Sequence, residues 1–279
     1  MQISKEDLEL IRKAGESLFL NELKSFYLLG NTDEYDAFEP QKLNLGSASD
    51  FEKYKFACCS YAGFKIDEDE QRAFRLWLEL ANEGQVESML ESSAFFFKNG
   101  ENEEGFKMLQ KCANAGNQIA QFRIALCYMF GFGTTQNEEK AIKIFEKLSI
   151  DNYPNAIYML GSFYYNGDDK IIPRDQNKGW ELIKKACKLG SPFAEYEVAI
   201  QLCAHKEDHS FTPDVIELLE KSANGGDLRA LYLLSLAYAK GEGVEIDLEK
   251  SMSYLAQSYE GDFPLAIDLM DKLRKSIKD

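Results

Sequence analysis

An alanine that returns at nearly fixed intervals is the feature of this sequence that most constrains its fold. The alanines are Ala120, Ala156, Ala194, Ala230 and Ala266, separated by 36, 38, 36 and 36 residues. After each of the first four, an aromatic residue follows two positions later, and an aliphatic and a small residue follow at four and five. Such a period predicts helical repeats that each bury an apolar face on the next repeat, which defines a solenoid.

Two amphipathic segments fill each period from about residue 48, and we name the first helix A and the second helix B. The predicted pairs are 49–61 with 70–82, 86–98 with 103–114, 118–130 with 137–150, 155–166 with 175–188, 192–205 with 213–224, and 228–240 with 247–259. A last helix over 263–277 has no partner and is predicted to cap the stack. Glycine ends a helix without strain in the left-handed conformation. We therefore expect it at the ends of the B helices, at Gly84, Gly116, Gly190, Gly226 and Gly261.

The N-terminal region does not follow the repeat. Residues 1–29 have apolar residues at helical spacing, and residues 31–47 combine Gly, Pro, Asn and four acidic residues. The first stretch predicts an amphipathic helix and the second a loop or irregular capping segment. We therefore divide the chain into an N-terminal cap, residues 1–47, and a repeat region with its C-terminal capping helix, residues 48–279.

The repeat resembles that of the Sel-one-like repeat family, which is related to the tetratricopeptide repeats. The family pattern is A-x-x-x-L-G-x-x-Y-x-x-G-x-G-V-x-x-D-x-x-K-A, followed by a helix ending in A-x-x-G. The last repeat matches it best, at Ala230, Leu234, Tyr238, Gly241, Gly243, Val244, Asp247, Lys250, Ala256 and Gly261. The resemblance covers about residues 50–270. It implies an all-α, right-handed α/α superhelical solenoid of about six helix pairs with a scaffold or adaptor role, and it implies no chemistry.

Charge restricts the classes of partner. The formal net charge is -15, from 47 acidic and 32 basic residues, so nucleic acids and anionic membrane surfaces are disfavoured as partners. A basic protein partner is compatible with this charge, and so is simple solubility. The charged N-terminus MQISKEDLEL predicts no signal peptide, and no apolar run approaches the length of a membrane span. We therefore expect a cytoplasmic protein.

The six cysteines fall inside predicted helices, most of them beside apolar residues, and they form no CxxC pair or metal-ligand spacing. They are Cys58, Cys59, Cys112, Cys127, Cys187 and Cys203. We predict six free thiols that serve as small apolar residues in a reducing compartment. Disulfides are the alternative.

Few residues in the sequence suggest catalysis. His205 and His209 are the only histidines, and their i, i+4 spacing could place two imidazoles on one metal. However, the metalloprotease motif needs Glu after the first His, and Lys206 stands there. We predict a solvated loop at this segment, no catalytic residue, no metal, no cofactor and no enzymatic activity.

The A helices carry the candidate partner-binding residues. By analogy with tetratricopeptide folds, helix A lines the concave side of the solenoid, where apolar residues exceed what a solvated face requires. The candidates are Phe122, Leu126, Met129, Phe130, Tyr158, Ser162, Tyr165, Asn166, Tyr196, Ile200, Tyr232, Leu236 and Lys240. For the aromatic series that begins at Phe122, packing between adjacent A helices is the alternative and favoured interpretation.

Three functions remain open from the sequence. The leading hypothesis is a protein-binding adaptor of bacterial type that holds a protein or peptide partner in its concave groove. The second is an acidic immunity or inhibitor protein that neutralises a basic toxin or enzyme. The third, a hydrolase of cell-wall-related substrates, follows from disulfide-stapled members of the resembled family, whose cysteine spacing is absent here.

Overall fold

The computed structural model describes residue 35 and residues 37–167, 172–204 and 211–278, with side chains to residue 275. After a short 3-10 helix, Pro40–Lys42, these residues form thirteen α-helices and no strand. The helices are α1 (Asp50–Ala62), α2 (Glu70–Glu83), α3 (Val86–Lys98), α4 (Asn102–Asn114), α5 (Gln118–Phe130), α6 (Glu138–Ile150), α7 (Pro154–Asn166), α8 (Gln176–Lys188), α9 (Pro192–Ala204), α10 (Pro213–Asn224), α11 (Leu228–Lys240), α12 (Leu248–Glu260) and α13 (Pro264–Lys278). The all-α prediction and the predicted helix pairs are confirmed. The predicted helix over residues 1–29 lies outside the described residues.

The described chain separates within α6 into two compact units. The first unit ends at Ile144 and the second begins at Phe145. In the first unit, α1 and α2 bury Tyr54, Trp77 and Leu80 around one core cluster. In the second unit, helices α9 to α13 share a larger apolar core that includes Leu219 and Leu234.

Small residues allow helices A and B of a hairpin to approach closely. In the α7–α8 hairpin, a Cβ atom added to Gly179 would lie only 2.7 Å from the carbonyl oxygen of Gly161. In the α11–α12 hairpin, the Ser251 hydroxyl donates a hydrogen bond to the Ser235 carbonyl oxygen over 2.8 Å. Both contacts join the small residue of helix A to the fourth residue of helix B. The close crossing of the two helices therefore explains why small residues recur at these two positions.

The Tyr, Asp and Lys of the repeat pattern act together at the start of helix B. In the last hairpin, the Asp247 carboxylate accepts the backbone N–H of Lys250 over 3.0 Å and so caps α12. The Lys250 ammonium lies 5.0 Å from the ring centroid of Tyr238, close enough for a cation–π contact. The α7–α8 hairpin repeats this arrangement with Asp175, Lys178 and Tyr164. The contacts of these residues within the hairpin therefore explain why they recur in the repeat pattern.

Not every predicted helix-ending glycine has the expected backbone. Gly84, Gly116, Gly190 and Gly226 have positive φ as predicted, but Gly261 has φ -80°. The left-handed residue after α12 is Asp262, with φ 60°. Gly261 is needed for space instead, because a Cβ atom there would lie 2.4 Å from Leu228 Cδ2.

All six cysteines are free thiols that lie in helices, and five of them are buried. Burial raises the pKa of the Cys58 thiol to about 12 and that of the Cys112 thiol to about 11. Only Cys187 is partly exposed. No helix in the described ranges has both the length and the apolar character that crossing a bilayer requires.

We expect Gly133→Ala to lower the melting temperature more than Gly116→Ala does. Both glycines have positive φ, 66° and 91°, so alanine is strained at either position. A Cβ atom at Gly133 would also lie 2.0 Å from the Asn102 carbonyl oxygen, whereas nothing lies within 4 Å at Gly116. The strain alone costs about 1–2 kcal/mol, so Gly116→Ala measures it. Equal losses in thermal melts would contradict the close contact at Gly133.

Thiol titration tests the placement of the cysteines. At pH 8 the folded protein should react with a thiol reagent first at Cys187, because the other five thiols are buried and less accessible to the reagent. After unfolding without reductant, close to six thiols should react. A count of two or fewer would mean disulfides.

Candidate functional site

The predicted partner-binding residues of the A helices differ widely in exposure. In the first unit, Phe122, Leu126 and Met129 are buried and Phe130 is half-buried. In the second unit, Tyr158 and Tyr196 are buried, while Asn166 and Lys240 are exposed. The half-buried residues of the second unit are Ser162, Tyr165, Ile200, Tyr232 and Leu236. A partner contact at the A helices would therefore rest mainly on the half-buried and exposed members.

A buried arginine links three A helices of the second unit. Arg229, on α11, contacts the Asp227 carboxylate through Nε over 3.0 Å and through Nη2 over 2.6 Å. Its guanidinium carbon lies 4.0 Å from the ring centroid of Tyr196, on α9. Its Nη1 atom lies 3.6 Å from Glu197 Oε1, and the same carboxylate oxygen accepts the Tyr158 hydroxyl, on α7, over 3.4 Å.

This network shifts the pKa values of its members. Burial disfavours the charge of Arg229, but the adjacent Asp227 carboxylate outweighs it and holds the pKa of Arg229 well above its ordinary value. Burial raises the pKa of the Tyr158 and Tyr196 hydroxyls, and Glu197 raises that of Tyr158 further. Arg229 is therefore charged, and both tyrosines are neutral, throughout the physiological pH range.

The packing of Tyr158 and Tyr196 agrees with the alternative that their aromatic series joins adjacent A helices. Tyr158 also lies 5.7 Å from Phe193, measured between ring centroids, on the following A helix. Arg229 and Glu197 are not among the candidate residues predicted from the sequence. The available signal was the Asp-Leu-Arg sequence at 227–229, which places opposite charges at the start of an otherwise apolar helix.

Four of the predicted residues of the second unit, Tyr165, Asn166, Leu236 and Lys240, lie in the C-terminal half of their A helices. The Tyr165 ring lies 6.5 Å from that of Trp180, and Asn166 donates to the Ser162 carbonyl oxygen over 3.0 Å. Lys240 pairs with Glu242 over 3.6 Å. Leu236 is half-buried on the same helix as Lys240. Tyr165 and Leu236 are half-buried, so each keeps some apolar area exposed.

No metal centre is found in the part of the chain that the structure describes. Its His, Cys, Asp and Glu side chains form no group of three or more that could hold an ion. The predicted solvated loop with His205 and His209 lies outside the described residues.

The repeats belong to a known class. The model of the Sel1 repeat family matches this chain at residues 54–85, 118–150, 154–191 and 228–263. These matches cover the first, third, fourth and sixth hairpins, including the Asp, Lys and Tyr residues that cap and stack at α8 and α12. The chain therefore belongs to the Sel1 repeat family.

Curated relatives share only part of their length with this chain. Protein SHC1 of Saccharomyces cerevisiae is 29% identical over 150 residues, which are 50% of this chain and 29% of that protein. DAP3-binding cell death enhancer 1 of Rattus norvegicus is 23% identical over 221 residues, 77% of this chain and 43% of that protein. Chitin synthase regulator SKT5 of Saccharomyces cerevisiae is 26% identical over 167 residues, 57% of this chain and 24% of that protein. The chain thus spans less than half of each of them.

Solved structures support the fold. A Sel1 repeat protein from Oxalobacter formigenes has a TM-score of 0.52 and 21% identity, over 96% of this chain and 80% of that one. The Pseudomonas aeruginosa protein PA5086 has a TM-score of 0.51 and 16% identity, over 80% of this chain and 86% of that one. The α/α solenoid class predicted from the repeat is confirmed.

We expect Arg229→Met to destabilise the second unit strongly. It leaves the fully buried Asp227 carboxylate without its guanidinium partner, and breaking a buried pair in this way costs about 3–5 kcal/mol. Adding Asp227→Ser, which retains a capping side chain for α11, should recover much of the loss. Chemical denaturation of the single and double variants measures both effects. Additive losses would show that the two side chains do not depend on each other.

Proposed function

We propose that this chain is a protein-binding scaffold that holds a protein or peptide partner on the exposed parts of its A helices. The observation that carries the proposal is the series of Sel1 hairpins, because proteins of this family are typically protein-interaction scaffolds. Two relatives have names of the same kind, one a regulator of chitin synthase and one a DAP3-binding protein. Neither name identifies the partner of this chain.

The A-helix residues Tyr165, Ile200 and Leu236 supply the chemistry of the proposed surface. Each is half-buried, so each keeps apolar area that a partner can cover. Lys240 and Asn166 lie at the ends of the same helices and can orient a partner through polar contacts. A helix or extended peptide that places apolar side chains against these residues fits the arrangement.

Net charge favours a basic partner. With a net charge of -15, the protein attracts a basic partner at long range and increases its association rate. An immunity or inhibitor protein for a basic toxin or enzyme is the second candidate on this ground. The free thiols support a reducing compartment, and we propose a cytoplasmic location.

Partner binding should depend on the A-helix surface. We expect Tyr165→Asp and Leu236→Asp each to weaken binding of a partner captured from native lysate by at least about tenfold. An unpaired charge in an apolar contact costs well over the 1.4 kcal/mol that this factor represents. Binding of the purified partner by isothermal titration calorimetry, with thermal melts of every variant, provides the measurement.

The matched control is Asn177→Asp, which adds the same single charge to an exposed position at the start of a B helix, α8. It should retain full affinity. Full affinity in the two A-helix variants would reject this surface as the partner site. One stoichiometric basic partner would favour the inhibitor, and several unrelated partners would favour the adaptor.

A further inference from the structure

The start of α12 exposes three large apolar side chains to solvent. Ile246 is 66% exposed, Leu248 is 65% exposed and Met252 is 47% exposed. Leu248 and Met252 are four residues apart on one helix, so they lie on the same face. Ile246 lies against the end of α11, with its Cγ1 atom 2.9 Å from the position of a Cβ atom added to Gly241. We refer to these three residues as the α12 patch.

The repeat itself does not require the α12 patch. The other described B helices have polar residues or proline at the position of Leu248, namely Glu70, Asn102, Glu138, Gln176 and Pro213. At the position of Ile246 they have Glu68, Gly100, Gln136, Arg174 and Phe211. Of these ten residues only Phe211 is large and apolar, and it is buried. The last hairpin therefore carries exposed apolar residues where the other described hairpins do not.

In the second hairpin, the next A helix covers the position that corresponds to Met252. Its counterpart Phe106 meets the Tyr128 ring at a centroid distance of 5.5 Å. The residue of α13 that corresponds to Tyr128, eight positions after the recurring alanine, is Arg274. Arg274 contacts the Tyr259 ring instead, with its guanidinium carbon 5.0 Å from the centroid. Met252 thus keeps half of its surface free.

Carboxylates are adjacent to the α12 patch in the sequence. Glu245 and Glu249 are exposed and flank Ile246 and Leu248 in sequence, and Asp247 lies between these two apolar residues. Among the nearby lysines, Lys240 is paired with Glu242, and Lys250 lies over the Tyr238 ring. The patch is thus an apolar surface with an acidic border.

We propose that the α12 patch is a second docking surface, for a basic amphipathic helix of a partner protein. Apolar side chains of such a helix would cover Leu248 and Met252, and its Lys or Arg residues would meet Glu245 and Glu249. A second copy of this chain would bring the same acidic border against itself, so charge disfavours self-association there. The patch is on a B helix, whereas the proposed A-helix surface is formed by residues of α7, α9 and α11.

A model peptide tests the proposal directly. The probe is a fluorescein-labelled peptide of about 18 residues, with Leu at helical a and d spacing and Lys elsewhere. Fluorescence anisotropy should show binding to the wild-type protein. The double variant Leu248→Ser with Met252→Ser should bind at least about tenfold more weakly. Glu245→Gln with Glu249→Gln should reduce both the affinity and its dependence on salt.

Two controls separate the patch from unspecific attraction and from the A-helix surface. Ile150→Ser removes an apolar side chain that is 79% exposed on α6 and should leave peptide binding unchanged. Tyr165→Asp should also leave it unchanged, so that failure of the A-helix proposal and failure of this one are distinguishable. A peptide with Glu in place of Lys should not bind.

Three results would overturn the proposal. They are equal peptide affinity in the wild type and the Leu248→Ser, Met252→Ser variant, equal affinity for the Glu peptide, and no binding of the Lys peptide even at low salt. Sedimentation that shows a wild-type dimer, lost in the same double variant, would assign the patch to a second copy instead. Thermal melts confirm that each variant is folded.

Discussion

The repeat depends on a close crossing of helices A and B, which the α7–α8 and α11–α12 hairpins show. In the α7–α8 hairpin, Gly161 and Gly179 leave no room for a side chain on either helix. In the α11–α12 hairpin, serines at the same two positions replace this contact with a hydrogen bond. The crossing fixes which face of helix A points at helix B. The orientation of every other A-helix side chain follows from it.

Burial of the A helices has a consequence for their polar side chains. A polar or charged group removed from water must find its partner inside the protein. Tyr54 donates to Glu91 over 3.0 Å in the first unit, and both side chains are almost fully buried. In the second unit, the Arg229 guanidinium donates a hydrogen bond to the buried Asp227 carboxylate. Such pairs add little net stability over apolar packing, but losing one partner is costly, and this favours one arrangement of adjacent hairpins.

Local signals explain why the helices could be predicted from the sequence. The cap Asp247 and the turn glycine Gly241 act within a few residues of the chain, so the sequence contains the whole interaction. Burial of Glu91 depends on Tyr54 in another hairpin, and no local pattern predicts it. The same limit applies to the candidate site. Helical spacing could place Tyr196 on an A helix, but it could not show that Arg229 covers its ring.

A repeated structure makes it possible to separate residues that the fold requires from residues that are free to serve a partner. The Asp, Lys and Tyr at the start of α8 return at α12 with the same contacts, so those contacts account for them. Leu248 has no such explanation, because Glu70 and Gln176 fill its position in other hairpins without loss of the helix. An exposed apolar side chain gains nothing from water. The proposed partner helix would cover it, and the adjacent carboxylates favour a basic partner.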